Sequence, residues 1–432
     1  MAETYGTTTI PSDSVTVRSG GTVSIGAAFE TTLGLVGGMD TANGDATEGD
    51  VITVESTSDA EQQFGENSEL AKNVAAAYAN GAGTIYAVGV SETQTTESFD
   101  TSSSGTLSES PVFDPTVHPD HDITATDTVE ASDVNVNIVY GTPSAPTEAN
   151  TINLNPVTGE WEADESSDYD IDYTYGDYGA AITDVVEKVP RIVTVLTENE
   201  TVANSLLTEL NTYDSDFEFM HGVVGAEPEV SAASYSDNLD DRRLSIVAPS
   251  RGWLDSAETD QVRTMGAVGG RASGKPLGDS MTYEPLQGIV SLNTQYTNSE
   301  LGTLIDSQVM PLRQSGGIDI VKDMTTSTDV RFERLYASEI IDEATEISHQ
   351  ISQQFIGNAN TEDNRLLLRE SHTTSYNELL EDQLLEDFLV NVSKGANDFE
   401  VDIDIGLDVI GIIDTVDVTI TVGDVVQNGG AA

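Results

Sequence analysis

The sequence predicts an α+β fold of several domains, with an α/β core, a β-rich insertion and extended N- and C-terminal arms. Three observations lead to this prediction. Apolar residues recur with helix and strand periods on both sides of residues 92–178. That stretch is itself rich in Ser, Thr, Asp and Pro, and short segments near both chain ends alternate apolar with polar residues. With 432 residues, 38% of them hydrophobic, the chain can bury two or three cores.

The α/β core is expected in residues 27–91 and 179–325. In the first part, strand, strand, helix and strand are predicted in "TLGLVGG", "VITVESTSDAEQQFG" and "ELAKNVAAAYANGAGTIYAVGV". In the second part, three strands and one helix are predicted in "RIVTVLT", "FEFMHGVVG", "RRLSIVAPS" and "ETVANSLLTELNTY". Because both parts have α/β character, we expect one core built from both sides of the insertion.

Residues 92–178 are predicted to form the β-rich insertion and to face outward, because they are hydrophilic and interrupt the core in sequence. Strand-like runs occur at "VNVNIVYG" and "TINLN", and a hairpin is predicted at "NPVTGEW". The acidic run "DESSDYDIDYTYGD" lacks the D-x-[DN]-x-[DN]-G spacing of a calcium loop. A hydrated β-strand is therefore the preferred interpretation of this run.

A C-terminal domain of helices and strands is expected in residues 326–413. Apolar residues at steps of three and four predict a long helix with one face on a core: Ile340, Ala344, Ile347, Ile351 and Phe355. A second helix is predicted in "SYNELLEDQLLEDFLVNV", with these residues on one face: Leu380, Leu384 and Phe388. A strand is predicted in "FEVDIDIG", with these residues on its apolar face: Phe399, Val401, Ile403 and Ile405.

Residues 1–26 and 414–432 are predicted to be arms. Period-2 apolar positions occur in the first arm at Val15 and Val17. In the second arm the same period is shown by Val416, Val418, Ile420 and Val422. Strands with one apolar face at the ends of a chain are suited to joining the sheet edge of another chain.

The charge of the chain is strongly unbalanced, with 75 acidic against 17 basic residues and a net charge of −58. Nucleic acids and anionic membranes are held largely through Lys and Arg, so we expect contact with neither. The N-terminus lacks a basic region followed by an apolar one, and the chain has no run of about 18 apolar residues, so no export signal or membrane span is expected. The chain has no cysteine, which excludes disulfides and thiol chemistry.

Four explanations of the acidity compete: an acidic tail, a DNA mimic, a calcium-loaded protein, and a protein adapted to concentrated salt. The acids are scattered among periodic apolar residues, which argues against a tail. The salt-adapted interpretation is favoured, because molar salt shortens the Debye length to about 3 Å and surface carboxylates then stop repelling one another.

This interpretation makes a prediction about stability. We expect the fold to loosen when salt is removed, because 58 uncompensated charges then repel across the surface. Circular dichroism during dialysis from molar to millimolar salt measures it. A spectrum unchanged down to low salt would contradict the salt-adapted interpretation.

The stretch "GGRASGKPLG" is in register with the glycines and the lysine of a phosphate-binding loop, but Pro276 replaces the hydroxyl that holds magnesium. The flanking segments also lack the strand-to-helix context, so a nucleotide site is not expected. In "HPDHD", His118, His121 and Asp122 are weak metal candidates; they lack H-x-x-x-H spacing, and a solvated loop is preferred. Ser245 and His221 lack a G-x-S-x-G elbow, so no catalytic site and no cofactor are expected.

The order of several segments resembles that of the tail sheath proteins of contractile viral tails and related contractile injection systems. The similar segments are "LGLVGGMD", "VITVESTSDAEQQFG", "NVAAAYANGAGTIYAVGV", "RTMGAVGGRASGKPLGDSMTYEPLQGI" and "LIDSQVMPLRQSGGIDIVKDMTTST". The resemblance covers most of residues 30–95 and 180–426 and does not extend to the insertion. Gly89 and Val90 stand where a sheath often has an arginine, so contacts of that strand are not carried over.

The resemblance implies a non-enzymatic subunit that stacks as hexameric rings around an inner tube and contracts as near-rigid bodies, with arms that add strands to neighbouring subunits. It implies baseplate, tail terminator and tube proteins as partners, in a virion tail or a cell-encoded injection device, assembled in the host cytoplasm of a high-salt organism. Arg365 and Arg369 are candidate tube contacts, because an acidic sheath on an acidic tube needs cationic bridges. The alternative is a surface or S-layer-like β-rich protein of a salt-loving cell.

Overall fold

The structure is a computed structural model that describes residues 2–5, 8–11, 31–228 and 239–412. It confirms the predicted α+β, multidomain fold. The predicted arm residues lie outside the described residues: Val15, Val17, Val416, Val418, Ile420 and Val422. Residues 2–5 and 8–11 pair as two antiparallel strands.

The strands of the described residues are, in chain order, β1 (Ala2–Tyr5), β2 (Thr8–Pro11), β3 (Thr32–Gly37), β4 (Val51–Val54), β5 (Thr84–Gly89), β6 (Ser91–Thr106), β7 (Thr124–Asp127), β8 (Ser132–Ile138), β9 (Thr151–Leu154), β10 (Glu160–Asp177), β11 (Ile192–Val195), β12 (His221–Gly225), β13 (Leu244–Ala248), β14 (Arg251–Trp253), β15 (Gln261–Arg263), β16 (Pro285–Leu286), β17 (Ser291–Leu292), β18 (Met310–Gln314), β19 (Ile318–Ile320), β20 (Leu385–Lys394) and β21 (Val401–Val409). The helices are α1 (Thr57–Phe64), α2 (Glu69–Ala79), α3 (Tyr178–Val186), α4 (Glu200–Asp214), α5 (Met265–Gly274), α6 (Asn298–Asp306), α7 (Leu335–Phe355) and α8 (Glu362–Glu381). None of these helices combines the length and the apolarity that crossing a bilayer requires.

The core is a nine-stranded sheet in the order β16-β19-β18-β13-β12-β11-β3-β5-β4. The strands from β18 to β5 in this order are parallel, whereas β4, β19 and β16 are antiparallel to their neighbours. Helices α1, α2 and α5 cover one face, and α3, α4 and α6 cover the other. Among the parallel strands the chain order reverses between β3 and β11, which is where open α/β sheets form a crevice at their carboxyl edge.

Helix α1 was not predicted, because its segment "VITVESTSDAEQQFG" was interpreted as strand alone. The strand ends at Val54, and the Ser56 side chain accepts a hydrogen bond from the Asp59 backbone N–H at 3.1 Å. This N-cap satisfies a free donor of the first turn and starts a helix that buries Ala60 and Phe64. The capping signal was present in the sequence as Ser followed by Asp three positions later.

The glycine-rich stretch that resembles a phosphate loop belongs instead to helix α5 and to the turn after it. Gly266, Gly270 and Gly274 recur every four residues, on the side that faces α2 and the turn that follows it. A Cβ at Gly270 would lie 2.4 Å from the Ala77 carbonyl oxygen. The glycines are therefore needed for close approach of two backbones. The expectation that no strand leads into a helix here was wrong, because the short strand β15 ends at Arg263 just before α5. The glycines nevertheless lie inside the helix and not in a loop between strand and helix.

Gly270 gives a prediction about stability. Gly270→Ala is expected to destabilise the protein by about 1–3 kcal/mol, because the added methyl overlaps fixed backbone of α2. The matched control is Gly302→Ala in α6, where an added Cβ meets nothing within 4 Å and is expected to stabilise by about 0.5–1 kcal/mol. Thermal unfolding in molar salt measures both, and equal shifts in the two variants would refute the packing role.

The insertion forms a five-stranded sheet in the order β6-β10-β7-β8-β9, in which β9 also pairs with β10. Strands β7, β8 and β9 thus close back onto β10 and enclose a core around Trp161, Ile152 and Ile171. The predicted hairpin is confirmed, because Leu154 lies opposite Trp161 in an antiparallel pair. The acidic run is part of strand β10, as predicted.

Helices α7 and α8 and the hairpin β20–β21 pack together as the C-terminal unit, residues 335–412. The long first helix and its buried stripe are confirmed. The second helix was wrongly extended: it ends at Glu381, and the alternating residues from Leu385 form β20 after a left-handed turn at Gln383 (φ 60°). Phe399 was wrongly placed in a strand, since β21 starts at Val401 and Phe399 is 96% exposed.

Candidate functional site

Buried charges gather where the insertion meets the carboxyl edge of the core sheet. We call this cluster the insertion junction; its residues are Glu69, Asp114, His118, Tyr140, Glu198, Arg251 and Arg263. Glu69 opens α2, Glu198 follows β11, and Arg251 follows β13, so the core positions them at neighbouring strand ends. Asp114, His118 and Tyr140 come from the insertion, which itself leaves the core at the end of β5. The cluster fills the crevice in which open α/β sheets usually bind ligands.

Arg251 joins the core to the insertion. Its guanidinium is fully buried, with Nη1 2.6 Å from Asp114 Oδ2 and Nε 2.9 Å from Glu198 Oε1. It lies over the Tyr140 ring, 4.7 Å from the ring centre, and the Tyr140 hydroxyl donates to the same Asp114 oxygen at 2.7 Å. One cation therefore balances a carboxylate from each side of the junction.

Arg263 continues the network on the core side. It donates to Glu198 through Nε at 3.0 Å, pairs with Glu69, and donates to the Leu196 carbonyl at 2.8 Å. The other Glu69 oxygen accepts from the Gly38 backbone N–H at 3.1 Å and lies 3.2 Å from His118 Nε2. A Cβ at Gly38 would overlap the His118 ring, so this glycine makes room for the histidine.

The carboxylates of the insertion junction remain ionised because their partners outweigh the effect of burial. Burial alone would raise the pKa of Glu69, but Arg263 and His118 lower it to about 2. Against the same effect of burial, Arg251 and Arg263 lower the pKa of Glu198, and Arg251 lowers that of Asp114. The junction is thus an ionic contact buried away from solvent, where salt screens charges much less than at the surface.

A second cluster lies at the amino ends of the parallel strands, where the C-terminal unit meets the core. We call it the C-terminal junction; its residues are Arg191, Arg242, Arg243, Lys275, Glu339 and Asp342. Glu339 on α7 accepts from Arg191 Nη2 at 2.8 Å and from Lys275. Asp342, one turn further along α7, pairs with Arg242 at 2.6 Å and with Arg243. The first turns of α7 are therefore bound ionically to the core.

Most of the buried cations of the described residues belong to these two clusters. Six basic side chains of the described residues are buried, namely Arg191, Arg243, Arg251, Arg263, Lys275 and Arg334. Five of them belong to the two junctions, and Arg334 pairs with Asp323 at the start of α7. These residues were not predicted from the sequence, although an arginine directly before a buried strand, as at Arg191 and Arg243, is a usable signal in a cation-poor chain.

A solvated loop was predicted for His118 and His121, and this prediction was wrong. His118 is buried beside Glu69, His121 lies 3.3 Å from Glu92, and both rings pack against Phe113. Asp122 is exposed. Within the described ranges, no three His, Asp or Glu side chains converge in a way suited to a metal ion.

His221 and Ser245 are brought together, with Nε2 and Oγ 2.9 Å apart in the core. The Ser245 hydroxyl donates to the Met324 carbonyl at 2.6 Å, so it accepts from His221, which is the reverse of a serine nucleophile activated by a base. Burial lowers the pKa of His221 to about 3, which keeps the ring neutral. The pair serves to satisfy buried polar groups.

Arg365 and Arg369 lie on α8 of the C-terminal unit. Arg365 is half-buried and donates to the Asn360 backbone carbonyl and to its side-chain oxygen, the latter at 2.6 Å. Asn360 in turn donates to the carbonyls of Asp398 and Glu400 at the hairpin tip. Arg365 thus holds the α7–α8 loop against the hairpin, whereas Arg369 is exposed.

The hairpin β20–β21 is the sheet of the C-terminal unit. Within the described part of the chain, its two strands pair only with each other, so both outer edges carry unpaired backbone groups. Its apolar face packs on the helices yet stays only half-buried, through Val390, Val392, Val401, Ile403, Ile405 and Leu407. The edges are thus available for a further strand.

A three-layered core with an insertion at one strand edge and a helix-and-hairpin unit at the other is the fold of contractile tail sheath proteins. The contracted helical sheath of the anti-feeding prophage (AFP) is 11% identical, with a TM-score of 0.59 over 96% of this chain and 99% of that one. The contracted PVC sheath of an extracellular contractile injection system is 12% identical, with a TM-score of 0.55 over 91% of this chain and 92% of that one. The sheath tail protein of Listeria innocua is 13% identical, with a TM-score of 0.53 over 89% of this chain and 92% of that one.

The sequence gives a second, independent comparison. Residues 21–331 match the N-terminal domain of DUF2586, and the chain belongs to that family. Among curated proteins, none matches the chain.

Proposed function

We propose that this protein is the structural subunit of a contractile sheath, whose copies stack as hexameric rings around an inner tube and contract to drive that tube through a target envelope. The observation that carries the proposal is the hairpin β20–β21, whose outer edges pair with no other strand among the described residues and which precedes the C-terminal arm in sequence. Such an edge is completed by a strand from another chain, through main-chain hydrogen bonds and alternating side chains. The sheath fold supports the same role.

Strand exchange links the subunits in this proposal. The C-terminal arm, with Val416, Val418, Ile420 and Val422, adds to the hairpin of one neighbour, and the N-terminal arm, with Val15 and Val17, adds to that of another. Both segments alternate apolar and polar residues, as a strand on a half-buried sheet requires. Extended arms can keep rings connected while subunit bodies change their packing.

The two buried junctions suit subunits that move as near-rigid bodies. Separating a buried ion pair leaves a charge without its partner in the protein interior, which is strongly unfavourable. Opening either junction during contraction would therefore cost a large free energy. The insertion and the C-terminal unit are therefore expected to follow the core during contraction. In this arrangement the insertion, 92–178, faces outward, and the role of the chain is structural rather than enzymatic.

Arg369 is the proposed contact with the tube. It is an exposed cation on the C-terminal unit of a chain with a net charge of −58, and an acidic tube would be attracted to it. Arg365 supports this surface through its hydrogen bonds to Asn360. Arg369→Met is expected to weaken cosedimentation with the tube protein by about 3–10-fold, since one interfacial charge pair is lost, and an unchanged affinity would exclude the contact.

The further partners proposed are baseplate and tail terminator proteins at the two ends of the sheath, in a virion tail that delivers a genome or in a cell-encoded device. Assembly is proposed to occur in the cytoplasm of a high-salt host. Salt at molar concentration would allow subunits of this charge to pack densely.

Negative-stain electron microscopy of the purified chain in molar salt tests the proposal. The full chain is expected to form tubes or six-fold rings, alone or on added tube protein. A variant lacking residues 1–20 and 414–432 is expected to stay monomeric under the same conditions, because the strands that link subunits are gone. Tubes formed equally by both proteins would overturn strand exchange, and monomers in every condition, including with tube protein, would overturn the sheath role.

A further inference from the structure

The helices of the C-terminal unit are wider than the hairpin that they cover. Helix α8 packs on β20 and α7 packs on β21. Neighbouring helices lie about 8–10 Å apart, whereas neighbouring strands lie only about 5 Å apart. The pair of helices is therefore wider than the pair of strands, and the hairpin alone does not cover it fully. Val401, Ile403 and Ile405 are only half-buried, as expected if a further strand completes the hairpin sheet that covers the helices.

The C-terminal arm has the right length, origin and pattern to fill this place in its own subunit. It begins only a few residues after Val409, at the end of β21. If Val409 lies opposite Val416, six residues form the connection, a length common between elements. The antiparallel register then pairs apolar residues with apolar residues: Leu407 with Val418, Ile405 with Ile420, and Ile403 with Val422.

This register puts Val416, Val418, Ile420 and Val422 of the arm on the face that covers α7. Directly opposite residues of an antiparallel pair point to the same side, and β21 directs its odd-numbered residues toward the helices. The acids of β21 fall on the outward face together with Asp417, Thr419 and Thr421 of the arm, and molar salt screens the like charges Asp408 and Asp417 there. A shift by one residue would reverse this arrangement and expose the arm's apolar set.

We infer that in the free subunit the C-terminal arm docks on the outer edge of its own β21, and that assembly exchanges it for the arm of a neighbour. A strand on a short tether has an effective concentration near millimolar, far above that of free subunits at micromolar concentration. Self-docking therefore wins in the dilute state and blocks spontaneous polymerisation. Exchange becomes favourable when subunits are concentrated, or when a ring or tube template holds two of them together, as in other cases of swapped elements.

This inference rests on the proposed pairing of arm and hairpin, and a labelled peptide of residues 414–432 tests it. Three forms of the chain are compared as monomers in molar salt: wild type, a chain ending at residue 413, and full-length Ile420→Asp, whose own arm cannot bury its apolar face. The truncated chain and Ile420→Asp are expected to bind the peptide. Wild type is expected to bind it about 100-fold more weakly, the ratio of a millimolar effective concentration to a dissociation constant near 10 µM.

The matched control is full-length Thr419→Asp, which adds the same charge on the outward face and is expected to behave as wild type. Equal binding by wild type and the truncated chain would overturn self-docking while leaving exchange between subunits intact. Peptide binding by none of the three forms would overturn the pairing of arm and hairpin itself, and with it the strand exchange of the proposed function.

Discussion

Arg251→Met is expected to lower the free energy of unfolding by about 3–5 kcal/mol, the cost of leaving buried carboxylates without their cation. Asp114 and Glu198 are both within 3 Å of this guanidinium, and none of the three is accessible to solvent beyond a trace. Because buried pairs are screened little, the loss should be the same at 1 M and 3 M salt. Urea unfolding at the two salt concentrations measures it.

The matched control for Arg251 is Arg369→Met, the same substitution at an exposed position. It is expected to change stability by less than about 0.5 kcal/mol, as is usual for surface changes. Adding Asp114→Asn and Glu198→Gln to Arg251→Met should restore part of the loss, because the uncompensated charges are then removed. A loss below about 1 kcal/mol for Arg251→Met alone would show that the junction does not hold the insertion to the core.

Glu343→Gln is expected to stabilise the protein at pH 8 by about 2–3 kcal/mol and to leave it unchanged at pH 4. Burial, with a smaller contribution from Glu346, raises the pKa of Glu343 to about 7 from an ordinary value of 4.5. Between pH 4.5 and pH 7 the folded protein therefore keeps a proton on this carboxyl group, whereas the unfolded chain has lost it. The contribution of the protonated Glu343 side chain to the free energy of unfolding is fully present below pH 4.5 and disappears as the pH rises through 7.

Glutamine keeps the shape of the side chain but cannot ionise, so the variant is free of the cost of burying a charge. Urea unfolding of both proteins between pH 4 and pH 8, in molar salt, gives the difference in stability. The control is Glu370→Gln, the same substitution at an exposed position of α8, which is expected to change stability by less than about 0.5 kcal/mol. A constant difference between wild type and Glu343→Gln from pH 4 to pH 8 would contradict the raised pKa.

The sequence reasoning predicted best where a periodic pattern extends over one element. The buried strands of the core and the stripe of α7 were recognised because burial imposes a period that the residues themselves display. The wrong predictions occur where a helical pattern of apolar residues is followed by a strand pattern. At Leu384 and Phe388 the apolar spacing fits a helix and a strand equally, and the left-handed turn at Gln383 decides for the strand.

The two junctions could not be predicted, because they depend on tertiary structure. Asp114 and Arg251 are 137 positions apart, and only the return of the chain to the same sheet edge brings them together. His118 was considered as a metal ligand, but its partner is Glu69, which lies 49 positions earlier in a helix that no sequence pattern connects with it. The glycines of α5 showed a spacing of four, but the nearby lysine drew attention to phosphate binding instead of helix packing.

The central claim is that the C-terminal arm of one subunit pairs with β21 of another in the assembled sheath. The chain has no cysteine, so Gly406→Cys and Thr419→Cys introduce the only two thiols. Gly406 lies on the outward face of β21. The register derived above puts these positions opposite each other, and Gly406 has space for a side chain. Tubes assembled in molar salt and treated with a short bismaleimide are expected to give a ladder of covalent multimers on a denaturing gel. Tubes that yield only single chains would contradict the account.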